Sequence, residues 1–240
     1  GSITSSVRAN PTYGQSIVSY TGTGSNATVG HGLASAPELI IVKNREHTAD
    51  WAVGGDDIGS WSNKTLELNN TAAIVTDSNI FGADPTTSLF TIGTSWKTNR
   101  SSYDHIAYCF HSVTGYSKIG SYSGNGSATG PVVTTGFSPA FLLVKSSTAV
   151  EPWNIIDNTR NPTNPKPSIL QPNSSGAEVD TASGTGVDFT STGFQIKTNI
   201  GNYNTSGQTY IYMAFADTRE YTYWLDQSGN NNDWTSNSLT

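Results

Sequence analysis

The sequence predicts an all-β protein made of two tandem, jelly-roll-like antiparallel β-sandwich repeats with long polar loops. Three observations lead to this fold class. Short apolar runs recur along the 240 residues with a period of two rather than 3.6. Gly, Ser, Thr and Asn, which favour turns, are abundant, whereas charged residues make up only 12% of the chain. A set of motifs also occurs twice in the same order, offset by about a hundred residues.

The repeat is carried by pairs of segments that share apolar, aromatic and glycine positions. The matched pairs are 17–25 with 119–127, 36–43 with 138–145, 89–92 with 193–196, and 106–110 with 211–215. The register shifts slightly between the earlier and the later pairs, as insertions in surface loops would cause. We therefore predict one sandwich repeat over residues 13–114 and a second over 115–217. Residues 218–240 are predicted to be a linker or tail that leads to a further module or to the chain end.

The apolar patterns within each repeat indicate which strands are buried. Leu39–Val42 and Phe141–Val144 are continuous apolar runs, which predict strands covered on both faces. In the last strand of the first repeat, Ile106, Tyr108 and Phe110 share one face. The pattern leaves open whether each repeat closes its own sandwich or the two repeats share sheets.

Charge and cysteine content exclude several classes of partner. The net charge is −6 and the 12 basic residues are scattered, which argues against nucleic acid as a ligand. The single cysteine, Cys109, excludes a disulfide framework. The sequence has no apolar run of about 18 residues, so we expect no membrane insertion.

Catalytic motifs are not found in the sequence. It contains no nucleophile elbow and no phosphate-binding loop. Asp56 and Asp57 are adjacent in a Gly-rich segment, which is typical of a turn rather than of a carboxylate dyad. His105 and His111 lie too far apart along one strand to share a metal ion. We therefore expect a non-enzymatic protein with no catalytic residue and no metal site built on histidine.

A dense run of oxygen-bearing side chains near the end of the chain is a weak candidate for calcium. Its ligands would be Asp226, Asn230 and Asp233. The spacing does not fit an EF-hand, and a solvated turn is the alternative interpretation. Apart from this candidate, no cofactor is expected.

The tryptophans divide into a matched and an unmatched group. Trp51 and Trp153 occupy equivalent positions in the two repeats, which predicts that both belong to the core. Trp61 and Trp96 have no tryptophan counterpart and sit in polar stretches, where an exposed aromatic face can stack on a sugar. The predicted ligand-binding residues are Trp61, Trp96, Arg100 and Tyr103.

The repeated motifs resemble a known family. Segments 120–127, 135–145, 207–216 and 224–234 are similar to a tandem β-rich domain of unknown function in tail-fibre and other structural proteins of tailed bacteriophages. In those proteins the domain is often followed by a concanavalin- or laminin-G-like module. The resemblance implies a position on the virion surface and a homo-oligomer, a trimer in a fibre. It carries no established catalytic or binding residues.

These expectations combine into a virion-surface module of a tail fibre that binds its receptor, a polysaccharide or other glycan on the host surface. The main alternative is a purely architectural spacer of the fibre or virion. A carbohydrate-binding module of a bacterial secreted protein is a further alternative. A depolymerase is disfavoured because no acid–base pair is recognisable.

Overall fold

The computed structural model describes residues 1–182 and 184–216, and within them the protein is all-β, as predicted. The first half, residues 1–114, begins with a strand that precedes the predicted repeat. Its strands are β1 (Ser5–Asn10), β2 (Gln15–Thr21), β3 (Ala27–Gly30), β4 (Leu39–Asn44), β5 (Ala52–Gly55), β6 (Lys64–Glu67), β7 (Val75–Thr76), β8 (Leu89–Ile92) and β9 (Asp104–Phe110). The short helix α1 (Trp96–Asn99) precedes β9, and 3-10 turns span Pro11–Tyr13 and Asp56–Ile58.

The second half, residues 115–216, repeats this alternation of strands and long loops. Its strands are β10 (Ser117–Ser123), β11 (Val132–Thr134), β12 (Pro139–Ser146), β13 (Asn154–Asp157), β14 (Ser168–Ile169), β15 (Val179–Asp180), β16 (Val187–Thr190), β17 (Gly193–Ile196) and β18 (Thr209–Ala216). The short helix α2 (Gly201–Asn204) precedes β18. No helix in the described part of the chain has the length and hydropathy needed to cross a membrane.

The main sheets of the two halves place their strands in the same order. The first half has a seven-stranded sheet, β1-β2-β9-β4-β5-β6-β7, with β3 and β8 in a second sheet. The second half has a four-stranded sheet, β10-β18-β12-β13, with β11-β17-β16 in a second sheet and β14 paired with β15. The run β2-β9-β4-β5 therefore has the order of β10-β18-β12-β13. An internal duplication would give the two halves this shared strand order. The duplication itself, with its boundaries at 13–114 and 115–217, remains a prediction from the sequence.

Each half closes its own sandwich. Alternate residues of β9, Ala107 and Cys109, face the core of the first half. That core also takes residues of β3 and β8, so it lies between the two sheets of the first half. In the second half, Leu142 and Val144 of β12 pack with Phe194 of β17 in the same way.

A third core joins the two sandwiches. The opposite faces of the two main sheets pack on each other, with Leu39 and Ile41 from the first half against Leu143, Ile211 and Met213 from the second. Residues 1–182 and 184–216 thus stack four main layers of sheet, and within them the halves share a core but no hydrogen-bonded sheet. β4 and β12 are covered on both faces, which confirms the prediction made from their apolar runs.

Trp51 and Trp153 precede equivalent strands and make equivalent backbone bonds. The Trp51 N–H donates to Asn69 Oδ1 at 2.8 Å, and the Trp153 N–H donates to Asn173 Oδ1 at 2.8 Å. Trp153 is buried, as predicted. Trp51 packs against the shared core but is only partly buried, so the expectation that both tryptophans are buried core residues holds for Trp153 and is wrong for Trp51.

Candidate functional site

A buried asparagine fixes α1 against the turn that follows β2. Asn99 Oδ1 accepts from the Thr23 N–H at 2.7 Å. Its Nδ2 donates to the carbonyls of Ser25 at 2.6 Å and Gly93 at 2.7 Å. The amide therefore satisfies three backbone groups from two loops, the one between β2 and β3 and the one between β8 and α1. As a result, α1 and the loop that follows it are held in a fixed position, and their side chains with them.

The second half contains an equivalent set of hydrogen bonds, made by Asn204. Asn204 Oδ1 accepts from the Asn125 N–H at 2.7 Å, and Nδ2 donates to the carbonyls of Ser127 at 2.7 Å and Thr198 at 3.0 Å. Sequence analysis did not identify this pair. Following the register shift of the repeat to the end of each copy would have aligned Asn99 with Asn204.

Four side chains converge on the surface beside α1 and form what we call the aromatic–arginine cluster: Trp96, Arg100, Tyr103 and His47. Trp96 is 61% exposed. The Arg100 guanidinium carbon lies 4.6 Å from the centroid of the Trp96 ring and 4.1 Å from that of Tyr103. The His47 ring meets Trp96 edge-on at 5.6 Å and Tyr103 at 6.0 Å. The structure thus brings together three of the predicted ligand-binding residues.

His47 is the member of the cluster that sequence analysis missed. It lies in the loop after β4, far along the chain from the other three residues, so sequence proximity gives no signal for it. Its Nδ1 lies 2.8 Å from the Thr48 carbonyl oxygen, which orients the ring.

Trp61, the fourth predicted ligand residue, is not part of this cluster. It is 3% exposed and belongs to the core of the first half. Its Nε1–H donates to Asp56 Oδ1 at 2.8 Å, and its ring meets Phe81 edge-on at 5.4 Å. A Cβ on Gly54 would lie 2.5 Å from the indole, so the ring packs directly on the backbone of β5. The expectation of an exposed Trp61 is therefore wrong, because no face of its ring is free for a ligand.

Arg100 is partly buried but has no carboxylate partner. Arg45 pairs with Asp104 at 3.6 Å and Arg160 with Asp157 at 2.6 Å. Among the described residues, no carboxylate forms an ion pair with Arg100, and its buried Nη1 has no hydrogen-bond acceptor. The guanidinium is held by two aromatic faces, while its in-plane N–H groups keep unused capacity to donate.

The carboxylates near α1 are engaged by Lys97. Its Nζ lies 3.3 Å from Asp50 and also pairs with Glu67. Partial burial lowers the pKa of Lys97, but the bonds to Glu67 and Asp50 outweigh it and raise that pKa above its ordinary value. A hydrogen bond from Asn69, together with Lys97, lowers the pKa of Asp50. Lys97 therefore engages both acids, and among the described residues neither of them forms an ion pair with Arg100.

An open groove adjoins the cluster through His47. Its floor includes Trp51 and Tyr108, whose rings stack at 6.5 Å with an interplanar angle of 25°. Its charged lining residues are Lys43, Arg45 and Glu46, and His47, Asn69 and Ile106 also line it. The groove and the cluster therefore share His47 and form one continuous surface.

None of the four cluster side chains occurs at the equivalent place in the second half. Hydrogen bonds define the equivalence, since Gly22 N–H donates to the Tyr103 carbonyl and Gly124 N–H to that of Gln208, both at 2.8 Å. Lys43 and Lys145 likewise bond the carbonyls of His47 and Ala149, both at 3.3 Å. By this register the counterparts of His47, Trp96, Arg100 and Tyr103 are Ala149, Gly201, Thr205 and Gln208.

The weak calcium candidate at Asp226, Asn230 and Asp233 lies outside the described residues, as does the predicted linker or tail over 218–240. Within residues 1–182 and 184–216, no group of three or more His, Cys, Asp or Glu side chains is placed to hold a metal ion.

Comparison with known proteins gives one match. A family model described as "Domain of unknown function (DUF7483)" matches residues 1–219, which include both halves of the structure. No curated protein and no solved structure matches the chain. These comparisons name no ligand for the aromatic–arginine cluster, so its binding chemistry is inferred from its geometry.

Proposed function

The chain belongs to the DUF7483 family of domains of unknown function, and we propose that it is a non-enzymatic adhesion module that binds a glycan on a host surface. The observation that carries this proposal is the exposed Trp96 ring, 61% accessible and braced by Arg100, Tyr103 and His47. An indole held in this way offers a flat apolar face whose orientation is set before a ligand arrives.

The physics of sugar binding fits a small site of this kind. Sugar rings present C–H faces that stack on aromatic rings. Burying one such face contributes about 1–2 kcal/mol at roughly 25 cal/mol per Å². A single module is then a weak binder, and firm adhesion needs several modules acting together. A trimeric fibre on a virion surface, the assembly implied by the family resemblance, would supply this multivalency.

The contrast between the two halves supports a specialised role for the cluster. Framework residues recur, as with Asn99 and Asn204, whereas the cluster residues do not. At the position of Trp96 the second half has Gly201, and a Cβ there would lie 2.3 Å from Glu151 Oε1. The second half therefore has no room for an aromatic ring at this place without moving Glu151.

The test compares Trp96→Ala with Ile200→Ala. Ile200 is an exposed apolar residue, 37% accessible, next to α2 at the corresponding end of the second half. An array of bacterial surface polysaccharides should bind the unmodified protein and the Ile200 variant equally, and the Trp96 variant at least several-fold more weakly. Circular dichroism and the thermal midpoint would establish that both variants fold. Equal binding by all three proteins would contradict the proposal.

The shared core gives specific support to a second function, that of an architectural spacer. Two sandwiches that bury Leu39, Ile41, Leu143, Ile211 and Met213 between them form a rigid block rather than two flexibly linked domains. A spacer would transmit position along a fibre and would not need Trp96. Unchanged binding together with lost assembly in shared-core variants would favour this alternative.

A further inference from the structure

Arg100 is the charged residue of the candidate site that has a buried donor without an acceptor among the described residues. Its guanidinium carbon lies over the rings of Trp96 and Tyr103, at 4.6 and 4.1 Å from their centroids. Its Nη1 is shielded from solvent and has no acceptor among the described residues. A buried donor without a partner has a free-energy cost, and an arginine usually avoids it through a carboxylate or a carbonyl.

The neighbouring acids do not serve Arg100 because each already has a partner. Asp50 and Glu67 pair with Lys97. Asp104 pairs with Arg45 and accepts from the Thr21 hydroxyl at 2.8 Å. Glu46 accepts from the Asp104 N–H at 2.8 Å. Among the described residues, none of these acids forms an ion pair with Arg100, which leaves the cation available to an external anion.

The N–H donors of a planar guanidinium lie in its own plane, so an anion binds at an edge of the group. The guanidinium carbon of Arg100 lies over the faces of the Trp96 and Tyr103 rings. A planar guanidinium in this position matches the two oxygens of a carboxylate, with two parallel N–H···O bonds. An adjacent exposed ring, Trp96, can carry the apolar face of the molecule that bears the carboxylate.

We infer that the cluster recognises an acidic sugar, with Trp96 stacking on the ring and Arg100 binding its carboxylate in a bidentate manner. The inference rests on the proposed function and names its substrate class, that is, uronic or sialic acid units within a surface polysaccharide. The groove floored by Trp51 and Tyr108 would then contact neighbouring units of the same chain. The second half, with Thr205 at the place of Arg100, would not bind such a unit.

The experiment measures binding to polygalacturonate, alginate and polysialic acid, each paired with its carboxyl-reduced, neutral derivative. For at least one pair, the protein should bind the acidic polymer about tenfold or more tightly, since hydrogen bonds to charged groups are worth about 1.5–3 kcal/mol. Arg100→Gln should abolish this preference, so that the acidic polymer and its neutral derivative bind equally well. Arg100→Lys, which keeps the charge but loses the planar fork, should retain only part of it.

Arg8→Gln is the matched control, because it removes one exposed positive charge from the edge strand β1, outside the cluster. If Arg8→Gln reduced the preference as much as Arg100→Gln, the effect would be general electrostatics and the inference would be wrong. It would also be wrong if no acidic polymer were preferred over its neutral derivative, or if the Arg100 variants, folded by their thermal midpoints, kept the full preference. Binding of neutral polymers that depends on Trp96 alone would overturn this inference and leave the proposed function intact. A failure of every polymer to bind would overturn both.

Discussion

The contacts of three tryptophan rings show which of them are core residues and which is a surface residue. Trp61 is enclosed by Phe81, Gly54 and Asp56. Trp153 is buried in the shared core, and its Nε1–H reaches across to the Glu67 carbonyl at 2.9 Å. Trp96 contacts the Arg100 guanidinium and the His47 ring but is 61% exposed to solvent. An indole whose N–H is satisfied inside the protein is structural, whereas one with an open face is available to a ligand.

Trp153→Ala should destabilise the protein by about 3–5 kcal/mol, the usual cost of truncating a buried aromatic residue. The substitution opens a cavity in the shared core and leaves the Glu67 carbonyl without its donor. Chemical denaturation of the variant and the unmodified protein would measure the difference. Trp96→Ala is the control and should change stability little, because its ring is mostly exposed. An unchanged denaturation midpoint for Trp153→Ala would exclude the residue from the core.

Cys109 should make stability fall at alkaline pH. Burial raises the pKa of its thiol to about 12, against a small lowering by Ser16. The unfolded chain therefore loses this proton first, and the stability that is present below about pH 8.5 is lost as pH rises towards the folded-state pKa. Buried Tyr20 and Tyr122 have raised pKa values and act in the same direction at higher pH.

Cys109→Ala isolates the contribution of the thiol. Urea unfolding at intervals between pH 7 and 11 should give the variant a shallower decline than the unmodified protein, by up to about 1.4 kcal/mol per pH unit. The thiol should also resist modification by thiol reagents in the folded protein, because it is buried and un-ionised. Parallel pH profiles for the two proteins would show that the thiol ionises equally in both states.

At the scale of secondary-structure elements, the short helices matter because they fix loops to the sheets. α1 and α2 each have only four residues, too few to be stable alone. Tertiary bonds hold them instead, as the Tyr20 hydroxyl donates to the Thr98 carbonyl at 2.6 Å and the Tyr122 hydroxyl to that of Tyr203 at 2.9 Å. Together with the asparagine bonds, this arrangement makes the loop that carries the cluster part of the framework.

Asn99→Ala should lower both stability and glycan binding, whereas Asn204→Ala should lower only stability. Each change leaves one buried backbone carbonyl, that of Gly93 or Thr198, without its amide donor, at a cost of about 1–3 kcal/mol. Only Asn99 supports the element that carries Trp96 and Arg100. Denaturation and polysaccharide binding of the two variants would be compared at a temperature where both are folded. Equal loss of binding in both would show that the cluster does not depend on its local support.

The apolar pattern predicted the strands well and the site in part. The alternation in β9 is confirmed, with Ala107 and Cys109 buried in the core of the first half, because a period of two follows directly from strand geometry. Trp96, Arg100 and Tyr103 were predicted together because they are neighbours in sequence. Trp61 was assigned wrongly because its neighbours Ser60 and Ser62 are polar. Its burial depends on contacts with β5 and Phe81 that no local pattern reveals.

At the scale of the whole molecule, the halves are tied by polar contacts as well as by the shared core. Lys145 Nζ donates to the Thr71 carbonyl at 3.3 Å, and the Glu151 N–H donates to the same carbonyl at 3.0 Å. Burial lowers the pKa of Lys145 to about 8, against a smaller opposing effect of Glu151. A lysine held this way orders the loop after β12 and fixes it to the first half. The polar bonds to Thr71 therefore fix how the two halves fit together, while apolar side chains fill the shared core between them.

The shared core predicts that the described sandwiches unfold as one cooperative unit. Unfolding the second half alone would expose Leu39, Ile41 and Val53, which its sheet covers, so a half-folded state is unfavourable. Leu142→Ala tests this, because Leu142 lies in the core of the second half and not in the shared core. The substitution should cost about 2–5 kcal/mol.

Native-state hydrogen exchange would show where that loss of stability appears. If the two halves form one unit, the most protected amides of β2 and β9 should lose as much protection free energy as those of β10 and β18, although Leu142 contacts none of the first-half core. Val132→Ala, at an exposed position of β11, is the control and should leave all four strands unchanged. Exchange accelerated only in β10 and β18 would mean that the halves open independently. The rigid-spacer function would then lose its structural basis. A spacer has to keep its two ends at a fixed distance and orientation, which two independently opening halves do not do.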